Sequence, residues 1–298
     1  MPATVDRQER KIRREEKRAK QRETSITRAE TMHKARLAHQ SALEFDDHVA
    51  VKGEHPAYHI GCSGWFYWHW GGVFYPEDLS RTEWFEYYAS QFNTVELNAP
   101  FYCWPTVATV KSWRRQAGRR RFIYTVKVCE RITHTKRFLG TKELVKDFGY
   151  IADLLGPYMG CFLFQLPPSY QYTPARLRAI VSQLESGRRN VVEFRHSSWW
   201  NDTVYAAFQE HSIIFCSCSG PKLPDTLVKT ADEIYIRFHG PKRWYRHDYS
   251  KEEIAEWAQR IRDSGASQVW AYFNNDNEGY AIKNAHALLK RLKQLRSH

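Results

Sequence analysis

The sequence has no apolar run that approaches the roughly 20 residues needed to span a bilayer, and its N-terminus lacks the apolar stretch of a secretory signal. Its six cysteines are scattered, with neither a CxxC pair nor the paired Cys/His spacing of a zinc finger. These absences argue against a membrane-spanning protein, a disulfide framework and a structural zinc site. We therefore expect a soluble, cytoplasmic protein with reduced thiols.

Several catalytic and cofactor motifs are also missing. The chain has no GxSxG elbow, no HExxH sequence, no Walker sequence and no glycine-rich dinucleotide fingerprint after a predicted strand. The pair Cys216 and Cys218 alone is too little for a metal or iron–sulfur site. No nucleotide cofactor is therefore expected.

What the chain does have is length, apolar content and positive charge. It comprises 298 residues, 42% of them hydrophobic, with a formal net charge of +12. The hydrophobic share excludes a wholly disordered chain, and the length suits one large domain or two medium ones. The charge fits nucleic acid, an anionic membrane surface, an anionic substrate or plain solubility, so its position along the chain must decide.

Part of that charge lies in an N-terminal extension. Met1–Phe45 holds 12 Lys/Arg and 7 Asp/Glu, and is rich in strong helix formers with few apolar residues. The composition predicts a frayed, solvated helix or a disordered arm over residues 1–55, before a folded domain at 56–298. The arm has two interpretations, a solubilising tail or weak RNA or DNA binding through residues 1–45.

From about Pro56, short β-branched or aromatic runs alternate with amphipathic segments. The eight runs are Tyr58–Cys62, Thr94–Leu97, Phe122–Val128, Cys161–Leu166, Asn190–Arg195, Ile213–Cys218, Glu233–His239 and Gln268–Phe273. Apolar repeats of helical spacing follow all of them except the sixth, which leads into a loop. Eight strand–helix units in this length predict an α/β protein, a single (β/α)8 TIM-type barrel. A doubly wound open sheet is the alternative, but the sequence lacks the glycine-rich phosphate-binding fingerprint after the first strand that is typical of that fold.

Polar residues occur where the predicted strands end, and in a barrel these ends meet at one rim. They are Ser63, Glu96, Asn98, Lys127, Gln165, Glu193, Arg195, His196, Arg237, His239, Asn274, Asn275 and Asp276. Because Lys127, Glu193, Arg195 and Arg237 alternate with apolar neighbours, we expect them to point into the barrel. Buried charges must then pair with each other or with a ligand.

Structural roles remain open for many of these residues. Glu193 with Arg195, and Glu96 with Lys127, could be ion pairs that plug the top of the barrel. Asn274, Asn275 and Asp276 could form a turn and helix cap, and His239 precedes a Gly-Pro turn.

An aromatic segment, Gly64–Trp70, follows the first strand, and Tyr102 lies after the second. Its rings could stack against a flat ligand or simply cover the end of the barrel.

These ordered motifs resemble the DUF72 family, also called YecE-like. The matching segments are Ile60–Trp65, Gly72–Pro76, Phe92–Glu96, Phe101–Tyr102, Ile132–His134, Leu163–Pro168, Val192–His196, Tyr235–Gly240, Trp257–Ala258 and Tyr272–Asp276. The resemblance implies a TIM-barrel-like domain with these residues around its mouth, and supplies no established reaction. Many members carry an Asp after the sixth strand, where this chain reads Cys216–Pro221. That departure puts in doubt any mechanism that needs a carboxylate there.

Our leading hypothesis is an enzyme of hydrolase or lyase type, which uses acid–base chemistry on an anionic or polyhydroxylated substrate. The candidate catalytic residues are Glu193, His239, Lys127 and Glu96. The candidate substrate-binding residues are Arg195, His196, Arg237, Asn274, Asn275, Asp276, Trp65, Tyr67, Tyr102 and Gln165. A divalent metal on Glu96, Glu193, His239 and Asp276 is not favoured, because Lys and Arg lie among them. The alternative is a non-catalytic protein whose arm contacts nucleic acid phosphates.

Overall fold

The computed structural model describes residues 2–40 and 57–296. The strands are β1 (Ala57–Cys62), β2 (Thr94–Leu97), β3 (Ile123–Lys127), β4 (Met159–Gln165), β5 (Asn190–Glu193), β6 (Ile214–Ser219), β7 (Glu233–Phe238) and β8 (Gln268–Phe273). The α-helices are α1 (Pro2–Gln40), α2 (Trp84–Gln91), α3 (Ala99–Tyr102), α4 (Val107–Ala117), α5 (Lys142–Leu155), α6 (Pro174–Val181), α7 (Asp202–Glu210), α8 (Lys251–Asp263) and α9 (Tyr280–Arg296).

The eight strands are all parallel and form one sheet in the order β1-β8-β7-β6-β5-β4-β3-β2. Helices cover its outer face, so the predicted TIM-type barrel is confirmed. Between β6 and β7 the chain forms turns and no helix, which also confirms the prediction for that connection. The predicted capping box of α8 is present, with the Ser250 hydroxyl and the Glu253 carboxylate each accepting the other's backbone N–H.

The barrel is nearly closed, and its seam lies between β1 and β2. The hydroxyl of Tyr88, on α2, accepts a hydrogen bond from the Cys62 backbone N–H (2.9 Å) and donates one to the Thr94 carbonyl (3.1 Å). Gly61 faces this seam, and a Cβ on it would lie only 2.4 Å from the Thr94 carbonyl oxygen. A side-chain hydroxyl thus takes the place of a ladder hydrogen bond, and close backbone approach explains the glycine.

Inside the barrel, apolar side chains fill the lower layers and polar groups lie above them. Tyr235, Trp270 and Tyr272 are fully buried, together with cysteine, leucine, valine and isoleucine side chains of the neighbouring strands. The Tyr272 hydroxyl contacts the hydroxyls of Thr94 (2.7 Å) and Thr125 (2.8 Å). This packing closes the interior below the charged layer described next, so any ligand must enter from the C-terminal rim.

The N-terminal segment forms the helix α1, so of the two predicted forms, a helix or a disordered arm, it takes the helix. Its second half packs on the barrel through a stripe of buried residues, Ser25, Ala29, Met32 and Arg36. Ser25 accepts a hydrogen bond from the backbone N–H of Trp104, and Arg36 donates one to Asp147 (2.8 Å). The predicted domain boundary at residue 55 lies outside the described residues. Over those residues, no helix combines the length and the apolar character that a membrane span requires.

Candidate functional site

Four buried charged side chains occupy the C-terminal ends of the strands. Glu96 lies on β2, Lys127 ends β3, Glu193 ends β5, and Arg237 lies on β7 one residue before its end. Glu96 and Glu193 are fully buried, while Arg237 is 1% exposed and Lys127 9% exposed. The burial of Lys127, Glu193 and Arg237 agrees with the strand alternation that predicted inward-pointing charges at these three positions.

Arg237 joins the two carboxylates. Its Nη1 donates to Glu193 Oε2 and its Nη2 to Glu96 Oε1, both at 2.6 Å. Glu96 also accepts hydrogen bonds from the hydroxyls of Ser63 (2.7 Å) and Tyr235 (2.5 Å). The predicted pairing of Glu96 with Lys127 is wrong, because Arg237 fills that position as a fork that reaches two acids at once.

The second arginine completes the network on the other side of Glu193. Arg195 Nε donates to Glu193 Oε1, and its Nη2 donates to His239 Nε2 (3.0 Å). Asn274 Nδ2 lies 3.4 Å from the other ring nitrogen of His239. The predicted ion pair between Glu193 and Arg195 is confirmed, and His239 belongs to this network as well as starting a turn.

Burial and charge act in opposite directions on these groups. Burial disfavours the charged form of Glu193, but the guanidiniums of Arg195 and Arg237 outweigh it and hold the pKa of that carboxyl well below its usual range. Burial likewise lowers the pKa of Arg237, and the two carboxylates more than compensate, so that it is raised well above its ordinary value. For His239 burial and the charge of Arg195 act together, and its pKa lies well below normal. We therefore assign an ionised Glu193, charged arginines and a neutral His239.

Lys127 differs from the other four charged residues because its amine is not paired with an opposite charge. Two carboxylates already pair with two arginines, and no hydrogen bond or ion pair joins the side-chain amine of Lys127 to any described residue. Its Nζ instead lies 4.1 Å from the centre of the Phe101 ring. Burial, followed by the charge of Arg237, lowers the pKa of Lys127 to about 7. Its amine is thus available in neutral form near neutral pH.

A π-helical turn, Arg131–Thr135, follows β3 and brings His134 close to this lysine. The His134 ring packs edge-on against Phe101, with ring centres 4.9 Å apart. Burial and then the charge of Lys127 lower the pKa of His134 to about 4, which shows that the two groups interact. Such turns often occur at functional sites.

An open cavity of about 440 Å³ lies at the same rim. Its lining includes Arg195, Lys222, Leu223, Trp244 and Tyr245. The guanidinium of Arg195 lies over the Trp244 ring at 4.6 Å, and its Nη1 has no hydrogen-bond partner in residues 57–296. Arg195 therefore links the cavity to the buried charges.

The cavity's loops also hold backbone strain. Lys222 (φ 64°) and Tyr245 (φ 66°) adopt the left-handed conformation that residues with a Cβ seldom take. Strained residues of this kind persist only where the surrounding structure holds them, and they concentrate at functional sites.

Three predicted binding residues make local structural contacts instead of joining the network. His196 Nδ1 accepts the backbone N–H of Ser198 (3.2 Å) and caps a short 3-10 helix. Asn275 is fully buried and donates to the His247 carbonyl and to Asn284, both at 2.7 Å. Gln165 donates to the carbonyl of Leu166.

Asp276 and the aromatic segment form a second group on the rim. Asp276 contacts Trp70 Nε1 (2.7 Å) and His69 Nε2 (3.0 Å), and burial raises its pKa to about 6. The Tyr67 hydroxyl donates to the Ser63 carbonyl (2.6 Å), and Trp65 packs on Phe85 with ring centres 5.3 Å apart.

Most of the aromatic segment covers the end of the barrel, as one of its two interpretations proposed. Tyr102, in contrast, is 45% exposed and Trp68 is 62% exposed. Phe66, within the segment, is 47% exposed, so these three residues of the predicted aromatic set have free ring surface.

Sequence reasoning missed four residues of this region as site members. Tyr235 lies two positions before Arg237 on one strand, so alternation alone could have placed both on the inner face. His134 and Phe101 were part of the ordered motifs, but no spacing rule connects them with Lys127. Trp244 lies in a loop without periodicity, and no sequence signal identifies it.

One group of donors could hold a metal ion. Glu193, Cys218 and His239 each offer an atom, and these atoms lie within 4.8 Å of one another in the described part of the chain. Carboxylate, thiolate and imidazole suit a zinc-type ion. However, Arg195 already contacts Glu193 and His239, and Arg237 contacts the other Glu193 oxygen. A cation there would face two guanidiniums, so the residues fit a metal poorly.

Comparisons with known proteins place the chain in a family. The family model "Protein of unknown function DUF72" matches residues 59–298. UPF0759 protein YunF of Bacillus subtilis (strain 168) is 25% identical over 272 residues, which cover 78% of this chain and 94% of YunF. The crystal structure of a DUF72 family protein (TM1631) from Thermotoga maritima MSB8 is 27% identical, with a TM-score of 0.72, covering 80% of this chain and 99% of that one.

A DUF72 family protein (EF0366) from Enterococcus faecalis V583 has a TM-score of 0.68 at 19% identity, covering 79% of this chain and 95% of that one. This similarity bears on the fold alone. The family match covers most of the chain and coincides with the barrel, while α1 lies outside it. The chain therefore belongs to the DUF72 family of proteins of unknown function.

Proposed function

We propose that this protein is a barrel enzyme, of hydrolase or lyase type, that binds a small anionic or polyhydroxylated substrate at the C-terminal rim. The observation that carries the proposal is Lys127, a buried amine without a counter-ion beside a fully paired network of acids and arginines. A purely structural plug of two acids and two arginines would have no use for a fifth charged group, an amine without a partner.

Lys127 is the group best matched to acid–base chemistry at neutral pH. A proton acceptor works best when its pKa lies near the working pH, and the pKa of Lys127 is about 7. Glu193, which the sequence suggested as the base, is held ionised with a pKa well below normal and is a weak proton acceptor. We assign it, with Glu96, the task of positioning Arg237 and Arg195.

The positive charge at the rim supports an anionic substrate. Arg195 has a free donor at the floor of the cavity, and Lys222 stands exposed at its edge. When Lys127 is protonated, the buried network carries one net positive charge, which a bound phosphate or carboxylate would neutralise. Asn274 and the exposed ring of Tyr102 supply contacts that suit a hydroxylated substrate.

A thermal-shift screen with matched ligand pairs tests this proposal. Each phosphorylated sugar or short carboxylic acid is compared with its uncharged counterpart, for example ribose 5-phosphate with ribose. A ligand at 100 times its Kd stabilises the folded state by about 2.7 kcal/mol, enough to raise Tm by several degrees. We expect charged members to stabilise the protein and Lys127→Met to abolish the effect.

The matched control is Lys229→Met, since Lys229 bonds the carbonyls of Ser264 and Gly265 on the surface between β6 and β7. This variant should keep the response of the natural protein. If no anion stabilises either protein, or if Lys127→Met responds like the control, the proposed site is wrong.

A second candidate function, nucleic acid binding, is favoured by the first half of α1. Residues 12–20 are all exposed and include Arg13, Arg14, Lys17, Arg18 and Lys20, against Glu15 and Glu16. This basic half of α1, residues 8–24, is largely exposed, so its cations can follow a phosphate backbone.

Deletion of residues 2–24 separates the two functions, because it keeps the docked stripe. We expect RNA affinity and its dependence on salt to fall, while the response to small anions is unchanged. RNA titrations at two salt concentrations measure both quantities. An unchanged affinity and salt slope would show that the helix has no such role.

A further inference from the structure

We propose that Lys127 is an imine-forming nucleophile, which condenses with the carbonyl group of a small anionic aldehyde or ketone bound at the barrel mouth. The inference rests on the function proposed above and narrows its substrate to carbonyl-bearing acids or phosphates. It makes the enzyme a lyase or a related carbon–carbon or carbon–oxygen bond-breaking catalyst, since an imine withdraws electrons from the adjacent carbon.

The position of Lys127 gives its amine no competing partner. Its stem is buried at the end of β3 and its Nζ lies 4.1 Å from the centre of the Phe101 ring. No carboxylate or carbonyl of residues 57–296 accepts a hydrogen bond from it, although acids lie nearby in the same layer. With 9% of its surface exposed, the residue can still be reached by a small molecule.

The surroundings keep this amine in its nucleophilic form. Lysine nucleophiles are activated by an apolar pocket or by an adjacent cation. Lys127 has both, since Phe101 covers it and the charges of Arg237 and Arg195 act on it. At pH 7 an amine with a pKa of about 7 is half unprotonated, roughly 10³ times more than an ordinary lysine.

The same arginines suit the acid group of the substrate. Arg195 lines the cavity of about 440 Å³ and its charge also acts on Lys127, so the charged network connects the cavity with the amine. Formation of a protonated imine adds one positive charge to the network. The substrate anion balances that charge, and a neutral carbonyl compound would leave it uncompensated.

The covalent step balances without an oxidant or reductant. The lone pair of Lys127 Nζ forms a bond to the carbonyl carbon, and the C=O π electrons move to oxygen. The two amine protons pass to that oxygen, which leaves as water, and a C=N double bond remains. A proton from solvent then converts the imine into its cationic form.

Reductive trapping with glyoxylate tests the inference. Glyoxylate is the smallest carbonyl acid, and cyanoborohydride at pH 7 reduces its imines to stable carboxymethyl amines that peptide mass spectrometry locates. We expect Lys127 to be modified at least about tenfold faster than Lys222. This is a small part of the roughly 10³-fold larger unprotonated fraction that Lys127 has over an ordinary lysine at pH 7. Lys222 is the internal control because it is exposed at the rim of the same cavity.

Oxalate distinguishes this inference from the function on which it rests, since it has the carboxylates but no aldehyde. Excess oxalate should slow the modification of Lys127 and leave that of Lys222 unchanged. If oxalate raises Tm in a Lys127-dependent way but Lys127 reacts no faster than Lys222, the anion site stands and the imine is wrong. If oxalate neither binds nor protects and Lys127 is unreactive, both proposals are wrong.

Discussion

Arg237 is the residue on which the buried charges depend. Its two terminal nitrogens each contact a different carboxylate at 2.6 Å, and Glu96, Glu193 and Arg237 are all essentially inaccessible to solvent. Its Nε, in contrast, is buried without a hydrogen-bond partner among the described residues. Such a site is sensitive to truncation, because a buried carboxylate that loses its partner has no access to water.

Arg237→Met should lower the free energy of unfolding by about 3–5 kcal/mol, the usual cost of breaking a buried ion pair. Urea denaturation followed by circular dichroism measures it. Arg189→Met is the matched control, since Arg189 pairs with Glu233 at the opposite end of β7 and its side chain is 37% exposed. We expect the control to cost about 1 kcal/mol or less. Equal losses in the two variants would contradict the network described here.

Replacement of Lys127, in contrast to that of Arg237, should raise the free energy of unfolding, by an amount that depends on pH. Its pKa falls from 10.5 to about 7 on folding, so between these values the unfolded chain holds a proton that the folded chain lacks. The stability of the natural protein therefore rises with pH across this window. Below about pH 7 both states are protonated, and the full penalty of burying the charge remains.

Lys127→Met removes that penalty. The difference in unfolding free energy, variant minus natural protein, should be largest at pH 7 and below. It should then fall by up to about 1.4 kcal/mol per pH unit toward pH 10. Urea titrations at several pH values measure it. A difference that does not vary with pH would show that Lys127 has an ordinary pKa.

At the level of elements, the seam between β1 and β2 is the place where the barrel depends on a side chain. Tyr88→Phe keeps the ring but leaves the Cys62 N–H and the Thr94 carbonyl unpaired. We expect a loss of about 1–3 kcal/mol and faster amide exchange in β1 and β2.

Tyr124→Phe is the control for the seam, because that buried hydroxyl, on β3, donates to the Trp113 carbonyl of α4 and bonds no described group of β1 or β2. It should not change exchange in these two strands. Equal exchange in β1 and β2 for both variants would mean that Tyr88 does not close the barrel.

Helix α1 offers a second test at this level. Asp147 accepts a hydrogen bond from Arg36 (2.8 Å) and contacts His33 (2.9 Å), and it is buried. Asp147→Ala should therefore increase amide exchange in residues 25–39 while the strands keep their protection. Glu143→Ala, which removes a 60% exposed partner of Arg36, should have a much smaller effect. If neither variant changes α1, the contacts of Arg36 with Asp147 and Glu143 do not hold the helix on the barrel.

For the whole molecule, the features that could be predicted from the sequence are those that arise from repeated patterns. Eight apolar runs with helical segments between them were enough for the barrel, and the alternation within Glu233–His239 placed Arg237 on its inner face. The docking of α1 could not be predicted in this way, because the stripe Ser25, Ala29, Met32 and Arg36 contains only two apolar residues. The apolar residues Ile12, Ile26 and Leu37 are 49%, 43% and 49% exposed instead.

The charged residues of the candidate site were predictable as a set, but of their pairings only that of Glu193 with Arg195 was. Which acid meets which base depends on the registers of neighbouring strands and on side-chain reach across the barrel, and the strand patterns alone do not give these. Arg237, placed between β6 and β8, reaches both Glu96 and Glu193 across the interior and leaves Lys127 without either. The chemically important feature is therefore an absence of pairing, which only the three-dimensional arrangement reveals.

The state of Lys127 in the folded protein tests this account most directly. Nuclear magnetic resonance of protein with labelled lysine side chains follows the Lys127 resonance with pH, and Lys127→Met identifies its signal. We expect a midpoint near pH 7, about where the surrounding charges and burial place it. A midpoint near the ordinary lysine value of 10.5 would contradict both the proposed base and the proposed imine.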